Sequence, residues 1–326
     1  VDTPRFGYDQ VTLAAKGLLI EPAATQILAT ADIRDMTTAN WTLGATLTRA
    51  RTSVGADGVT NSATRLTSTG AAATAIITTT ITAAASSRTY SVMLRRVTGT
   101  GVIRLTQDNF ATNTDVTALV PADGAYHVVP VTQSQLNAVM GIKLDTSGDA
   151  IDADFNQFEA GAVASSRMAT TGAARGADLL LYTLGTWYNT LGGTLYAEFL
   201  NPSVSGAYNV ASFNDVSAAN QVTMWANTLT TTNFGSIVAS ASQAALTAVS
   251  ITGGAIAKTV GIFVLNDFAG FANNTSLGTD VSGTIPTVTR LEIGSEAGAA
   301  PLGNYIRKIV YYPIRMNNAI AQSLTV

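Results

Sequence analysis

The feature that most constrains the fold of this chain is a succession of short segments in which apolar and polar residues alternate. Segments such as RTYSVMLRRV (Arg88–Val97) and QVTMWANT (Gln221–Thr228) recur along the sequence, separated by glycine, asparagine, aspartate or proline. Alternation with a period of two places successive side chains on opposite faces of a strand, and helical periodicity is scarce. The pattern predicts an all-β protein of sandwich or jelly-roll type and disfavours a parallel sheet with crossover helices.

Length and one small-residue segment predict two domains in tandem. At roughly 100–200 residues per domain, 326 residues suffice for two hydrophobic cores. The segment Ala160–Gly176 is small and polar and separates two series of strands, which is typical of an inter-domain connection. Within the first series, VTGTGV (Val97–Val102) and DTSGDA (Asp145–Ala150) predict tight hairpin turns.

Composition excludes two classes of partner and favours a third. Charged residues make up 12% of the chain, about half of the usual ~25%, and the formal net charge of −3 comes without a run of lysine or arginine. The basic footprint of a nucleic-acid-binding protein is therefore missing. No stretch approaches the ~18 consecutive apolar residues of a spanning helix, so membrane insertion is not expected. Few charges keep copies of the chain apart, which favours a homo-oligomer.

The chain ends with NYIRKIVYYPIRMNNAIAQSLTV, which predicts a strand followed by a short helix. Nearly every residue of Tyr305–Tyr312 is apolar or long and amphipathic, so both faces of this strand are expected to be covered. Pro313 would end the strand because it cannot donate to the ladder. Asn317 is a suitable N-cap for the helix, on which Ile320 and Leu324 fall on one face.

This ending resembles that of concanavalin A-like (laminin G-like) sandwich domains in phage virion proteins. The resemblance rests on GNYIRKIVYYPIRMNNA (Gly303–Ala319), which is similar to a closing strand and capped helix. GTLYAEFLNP (Gly193–Pro202) is similar to the first strand of that module, and RLEIGSEAG (Arg290–Gly298) to a late one. The second half of the chain is thereby expected to be a concanavalin A-like sandwich.

The beginning of the chain resembles the leader of phage tail-fibre and head-spike proteins. The residues that carry this resemblance are PRFGYDQVTLAAKGLLIEPAATQIL (Pro4–Leu28). Gln10, Pro22 and Gln26 depart from the residues usual in such leaders. These departures concern local contacts of the leader.

Three stretches between the two ends resemble a galactose-binding-like jelly roll, the fold of several carbohydrate-binding modules. They are Asn40–Thr48, Arg88–Asn109 and Asp152–Ser166. Together the resemblances imply two tandem β-sandwich domains with an N-terminal leader and a short C-terminal helix. The implied division is a leader or anchoring segment at residues 1–30, the jelly roll at 31–165, a linker at 166–185 and the concanavalin A-like sandwich at 186–326.

The resemblance also implies a role on the surface of an extracellular particle. The expected protein is a tail fibre, head spike or decoration of a phage, or of a gene transfer agent, which is a domesticated phage particle. Its expected partners are further copies of itself (a trimer, for example), other virion proteins and a host cell-surface polysaccharide. Two alternatives stay open, namely a purely architectural capsid or tail component and a polysaccharide depolymerase.

The residues offer little chemistry for catalysis or for a cofactor. His127 is the single histidine and there are no cysteines, so a catalytic triad would have to use His127. A metal site with two histidine ligands or with thiolates is excluded. His127 lies beside valines in an alternating segment, which favours a structural or surface role, and no cofactor is expected.

The densest group of acids is DTSGDAIDADFNQFE (Asp145–Glu159). An EF-hand loop that starts at its first residue would need glycine and glutamate where Ala150 and Asn156 stand. No motif therefore indicates Ca²⁺, although such a cluster could bind it. Asp152 and Asp154 share one side of a strand, and we expect them to face solvent or an oligomer contact.

A depolymerase would need two carboxylates ~5–9.5 Å apart across a groove. Glu198 has no acid two residues away on its strand, and Asp215 is the other candidate acid. No paired signature accompanies either residue. The sequence therefore predicts a binding protein and not an enzyme.

Carbohydrate recognition requires aromatic platforms beside hydrogen-bonding groups, because sugars stack their C–H faces on rings and bond through their hydroxyls. Large aromatics in sandwiches also form cores, which is the competing interpretation of each ring and the favoured one for Trp41. The predicted carbohydrate-binding residues are Trp187, Tyr188, Asn189, Trp225, Asn227, Asn266 and Asp267.

Overall fold

The computed structural model describes residues 6–8, 14–70, 76–161, 163–202, 206–227 and 229–326. Contacts divide the chain into two compact units, one of which is interrupted in sequence by the other. The terminal unit comprises the described residues up to Pro22 together with Gly176–Val326, and the central unit comprises Ala23–Arg175. Both units are built almost wholly of β-strands, so the predicted all-β sandwich class is confirmed.

The terminal unit has two antiparallel sheets in the described residues. The first has seven strands, in spatial order β1 (Phe6–Tyr8), β2 (Ala15–Ile20), β25 (Asn304–Tyr312), β16 (Gly192–Leu200), β21 (Ile256–Val264), β22 (Asp267–Ala272) and β23 (Thr275–Asp280). The second has six, in the order β15 (Leu180–Thr183), β24 (Arg290–Ile293), β17 (Tyr208–Asn214), β18 (Gln221–Ala226), β19 (Thr231–Val238) and β20 (Ala241–Val249). Fully buried aromatic side chains from both sheets meet in one core, among them Phe199, Phe213, Phe234 and Phe263.

The central unit is a second sandwich. One five-stranded sheet has the order β10 (Thr114–Asp115), β9 (Ile103–Thr106), β12 (Val139–Leu144), β7 (Ile76–Thr80) and β4 (Thr42–Leu43). The other has the order β11 (His127–Gln135), β8 (Ser86–Thr98), β13 (Ala150–Ala160), β6 (Ala63–Ser68) and β5 (Leu47–Ser53). The short elements are β3 (Ala24–Thr25), which pairs with β14 (Ala174–Arg175), helix α1 (Thr30–Arg34) and a 3₁₀ turn at Thr117–Leu119. Trp41 is buried in this core, as predicted.

The two predicted hairpin turns of the central unit are wrong. Val97–Val102 leads from β8 to β9, and Asp145–Ala150 leads from β12 to β13, and each pair of strands belongs to opposite sheets. Both segments are therefore arches across the sandwich. Buried Arg96 fills the first arch, because its guanidinium donates to the carbonyl oxygens of Gly99 (3.3 Å) and Gly101 (3.0 Å).

The contacts divide the chain after Pro22 and Arg175, whereas the sequence placed divisions after residues 30, 165 and 185. Strand β2 of the predicted leader pairs with β25, and the predicted linker contains β14 of the central unit and β15 of the terminal unit. The described part of the predicted leader thus contains β1 and β2 of the terminal unit and β3 of the central unit. An anchoring role for residues 1–30 stays a prediction.

The C-terminal strand and helix form as the sequence predicted, with one difference. Strand β25 ends before Pro313, and the Asn317 side chain caps helix α2 (Asn318–Ser323) by accepting from the Ala319 backbone N–H at 2.9 Å. The helix covers the outer face of the seven-stranded sheet. Its buried residue is Ala321, whereas Ile320 is 57% exposed, so the predicted apolar face at Ile320 is wrong.

Candidate binding surface

The outer face of the six-stranded sheet carries a lateral row of polar side chains around one indole. Trp225 on β18 pairs in register with Asn209 on β17 and with Asn233 on β19, and Asn233 pairs in turn with Thr247 on β20. The neighbours of Trp225 along β18 point into the core, so Trp225 faces outward and is half-buried. Four strands at ~4.8 Å spacing make this Trp225 row roughly 15 Å long.

A glycine lets the indole lie on the sheet. A Cβ added at Gly235 would lie 3.2 Å from Cη2 of Trp225 and 2.9 Å from the carbonyl oxygen of Ala244. The six-membered ring of Trp225 therefore occupies the space over Gly235. The larger part of the indole thus lies over β19 and forms a platform.

The two amides of the Trp225 row are held by threonine hydroxyls. Thr223 donates to Oδ1 of Asn209 at 3.1 Å, and Thr247 donates to Oδ1 of Asn233 at 2.5 Å. Both amide oxygens are thereby fixed beside the indole. Asn209 and Asn233 are each only 4% exposed, so the half-buried indole offers most of the free surface of the row. Its face can stack the C–H face of a sugar ring.

A loop at residues 294–303 forms one border of this surface. The backbone N–H of Asn209 donates to the carbonyl oxygen of Ala300 at 3.0 Å. Fully buried Glu292 pairs with Arg290 and accepts from the Ser295 hydroxyl at 3.0 Å. This acid is used to hold the loop against the sheet.

Trp187 and Tyr188 belong to an aromatic cluster at one end of the sandwich. The ring of Tyr188 stacks on Tyr311 with centroids 5.5 Å apart and contacts Phe213 at 5.0 Å. Burial raises the pKa of Tyr188 well above its usual range. Trp187 is 40% exposed and contacts Tyr311 edge-on at 5.8 Å, so it is the most exposed ring of this group.

The polar residues that the sequence predicted beside these rings have structural partners. The side chain of Asn189 donates to the carbonyl oxygen of Pro313 at 3.0 Å and accepts from the Leu191 N–H at 3.0 Å. Asp267 receives two hydrogen bonds of 2.8 Å from Arg315, which lower the pKa of its carboxyl.

Two predicted residues lie in turns. Asn266 adopts φ 55° in the turn between β21 and β22. The backbone N–H of exposed Asn227 donates to the carbonyl oxygen of Thr231 at 3.0 Å.

The structure divides the predicted carbohydrate-binding residues into two groups. Trp225 and Asn227 lie near the Asn209 end of β17, whereas Trp187 contacts Phe213 toward the other end of that strand. Asn189 and Asp267 lie at that second end, because Gly192 pairs with Val264 and Val264 with Asp267. Sequence reasoning missed the residues that complete the Trp225 row, although successive hairpins with alternating faces could have indicated them. They are Asn209, Asn233 and Thr247.

The candidate catalytic acids of the terminal unit also have local partners. Glu198 lies 3.4 Å from the Arg307 guanidinium and 3.3 Å from the Tyr196 hydroxyl. Asp215 accepts from the Ser217 hydroxyl at 2.6 Å and from the Asn220 amide at 2.8 Å, and these bonds lower the pKa of its carboxyl. An acid that is held ionised in this way is poorly suited to protonate a leaving group.

In the central unit, the expectation that Asp152 and Asp154 face solvent or an oligomer contact is wrong. Both are fully buried on the outer face of β13. Asp152 binds Arg65, Arg95 (2.6 Å) and the Ser53 hydroxyl (2.6 Å). Burial alone would raise the pKa of Asp152, but hydrogen bonds from these partners hold it below its usual range. Arginines on neighbouring strands and on α1 cover the acids, which a single strand pattern does not reveal.

His127 is buried and its Nε2 lies 3.0 Å from the carboxylate of Asp123. Within the described ranges, no group of three or more histidine, cysteine or acidic side chains is placed to hold a metal ion. In those same ranges no helix has the length and apolar character needed to cross a membrane.

Comparison with known proteins assigns no family. No family model and no curated protein matches the chain. Among solved structures, it is similar to the CBM40 domain of the Ruminococcus gnavus IT-sialidase bound to α2,3-sialyllactose, with 13% identity, 45% of this chain and 96% of that chain covered and a TM-score of 0.37.

Two further similarities involve more of the chain. Domains LG4–5 of the mouse laminin α1 chain give 10% identity, 95% of this chain and 90% of that chain covered and a TM-score of 0.29. A tail fibre protein of E. coli phage G7C gives 11% identity, 77% and 40% covered and a TM-score of 0.21. These TM-scores and identities are too low for any of the three to indicate what the chain does.

Proposed function

We propose that this chain is a non-catalytic, glycan-binding surface protein of a phage or phage-like particle. The observation that carries the proposal is the Trp225 row, in which an indole platform lies between two oriented amides. Both ends of the chain resemble phage virion proteins in sequence, which supports a location on such a particle. Its ligand is a host cell-surface polysaccharide, and its other partners are virion proteins.

Several copies on one particle would strengthen attachment. Single carbohydrate sites bind weakly, and linked sites raise the overall avidity by ~10²–10⁴ without new contacts. A sequence with only 12% charged residues suits a homo-oligomer in which such sites are repeated.

A glycan array with the full chain, followed by calorimetric titration of the best ligand, tests the proposal. We expect Trp225→Ala to weaken binding by more than about tenfold, as for a central aromatic anchor. Trp187→Ala is the matched control, because it removes another half-exposed indole outside the row. Equal losses in the two variants would contradict the row as the site.

Two outcomes would overturn the function itself. Failure of the wild-type protein to bind any host saccharide, combined with binding to other particle components, would favour the architectural alternative. Shortened polysaccharide chains after incubation with the protein would favour a depolymerase.

A further inference from the structure

The central unit contains a groove that none of the predicted carbohydrate-binding residues lines. It has a volume of ≈ 440 Å³ and lies on the outer face of the sheet formed by β11, β8, β13, β6 and β5. This volume falls within the ~300–1,000 Å³ range of small-molecule sites. The residues that matter to its chemistry are Ser91, Met93, Phe155, Gln157, Ser165 and Arg167.

The floor of the groove is polar and fixed. Ser91 and Gln157 face each other in register across β8 and β13, and they are 4% and 3% exposed. The Gln157 side chain accepts from the Met168 N–H at 2.9 Å and donates to Glu159 at 2.7 Å, which holds the segment after β13 against the sheet. Glu159 is fully buried.

The hydroxyl of Ser91 is the group of this floor that is available to a ligand. Within the described part of the chain it has no hydrogen-bond partner, although the side chain is almost fully buried and lines the groove. Because Ser91 lines the groove, its hydroxyl can bond to a ligand hydroxyl or carboxylate in place of water.

A β-bulge brings an aromatic ring into the wall. The register of β13 shifts between Asp154 and Gln157, and Phe155 in the bulge adopts φ 48°, which a bulky residue rarely does. Bulges commonly redirect a side chain next to a functional site. Here the redirected ring lines the groove together with Met93 and Val128, which gives the groove an apolar wall.

Two arginine side chains lie over the ring of Phe155, and their charge environments differ. The guanidinium carbons of Arg34 and Arg167 lie 4.2 and 4.6 Å from its centroid. Arg34 is neutralised by Asp154 at 2.9 Å and Asp57 at 2.7 Å. In the described residues no carboxylate pairs with Arg167, whose other contact is Sδ of Met93 at 3.7 Å.

We infer that this groove binds an acidic saccharide. Arg167 holds the sugar carboxylate, because its planar guanidinium matches a carboxylate with two parallel hydrogen bonds. The C–H face of the sugar ring lies against Phe155 and Met93, and a sugar hydroxyl bonds to Ser91. The site is separate from the Trp225 row and does not depend on sugar binding there.

The test uses the full chain and two probes, oligoglucuronate and oligogalacturonate, each beside its carboxyl-reduced form and beside acetate, a carboxylate without a sugar ring. Titration is expected to show binding of at least one acidic oligosaccharide and loss of about tenfold or more on carboxyl reduction. Weaker binding of acetate than of the oligosaccharide would identify a saccharide site, whereas equal affinity for both would overturn it.

Variants distinguish binding in this groove from binding elsewhere on the protein. Arg167→Gln is expected to lower affinity for the acidic oligosaccharide by about tenfold or more, and Ser91→Ala by a few-fold. Trp225→Ala should leave this affinity unchanged, and Arg307→Gln controls for the loss of one exposed arginine elsewhere. An unchanged affinity in Arg167→Gln, or no binding of either acidic probe by the wild-type protein, would overturn the inference.

Discussion

At the scale of single residues, the Trp225 row depends on the absence of a side chain at Gly235. We expect Gly235→Ala to displace the indole and the backbone of β20, because the new Cβ would lie 2.9 Å from the carbonyl oxygen of Ala244. Unfolding by denaturant should show a loss of about 1–3 kcal/mol, and titration should show weaker glycan binding.

Ala245 provides the control for this change, because it faces Gly235 in register and is exposed. We expect Ala245→Ser to alter the free energy of unfolding by less than about 0.5 kcal/mol. Full glycan affinity in Gly235→Ala would contradict the role assigned to the glycine.

Also at the residue scale, the acids on the outer face of the central unit predict how stability depends on pH. Arg34 lowers the pKa of Asp57 to about 2, and hydrogen bonds lower the pKa of Asp152 despite its burial. A carboxyl group with a lowered pKa stabilises the fold above its unfolded pKa of ~3.9 and loses this contribution as pH falls through the folded value.

We therefore expect these groups to make the free energy of unfolding fall between about pH 4 and about pH 2, and to contribute a constant amount between pH 5 and pH 7. Urea denaturation at a series of pH values measures this dependence. Asp57→Asn should make the decrease shallower. A free energy of unfolding that rises on acidification would be inconsistent with the ion pairs.

At the scale of elements, helix α2 docks through a small residue. Ala321 is fully buried against the seven-stranded sheet, and Ile320 is 57% exposed. We expect Ala321→Leu to cost about 1–3 kcal/mol by overpacking. Ile320→Ala is expected to change stability by less than about 0.5 kcal/mol, apart from helix propensity. Chemical denaturation of both variants checks this, and the reverse ranking would mean that the helix docks through another face.

The strands and α2 also show which structural features a local sequence signal can predict. Alternation identified most strands, Pro313 marked the end of β25, and Asn317 marked the cap of α2, because each signal acts within a few residues. The arches at Val97–Val102 and Asp145–Ala150 were missed, since turn residues mark a change of direction and not the sheet that the next strand joins. The docking face of α2 was predicted wrongly, because Ala321 is buried against the sheet where Ile320 was expected.

At the scale of the whole molecule, the first strands of the chain complete a sheet formed mainly by its last 150 residues or so. Leu18 pairs with Ile306 across β2 and β25, and the central unit lies between them in sequence. Strands that lie so far apart in the sequence carry no local signal of their pairing. The sequence therefore predicted a leader and not a sheet strand. For the same reason, the residues beside Trp225 could not be identified without the register of β17, β18 and β19.

This pairing can be tested at Gly17, which adopts φ 113° and whose added Cβ would lie 2.3 Å from the carbonyl oxygen of Ile306. We expect Gly17→Ala to separate β2 from β25. Hydrogen exchange of the amides in β2 should then become faster, and the terminal unit should lose more than about 1 kcal/mol. Ala15→Ser, at an exposed position of β2, is the control. Unchanged exchange in Gly17→Ala would contradict the pairing.

We propose that the outer face of the six-stranded sheet holds a sugar without cleaving it. The most direct measurement is a crystal structure of the protein with its best array ligand. We expect an intact saccharide with one ring stacked on the Trp225 indole. A saccharide bound away from this row, or a cleaved product in an acid-lined cleft, would contradict it.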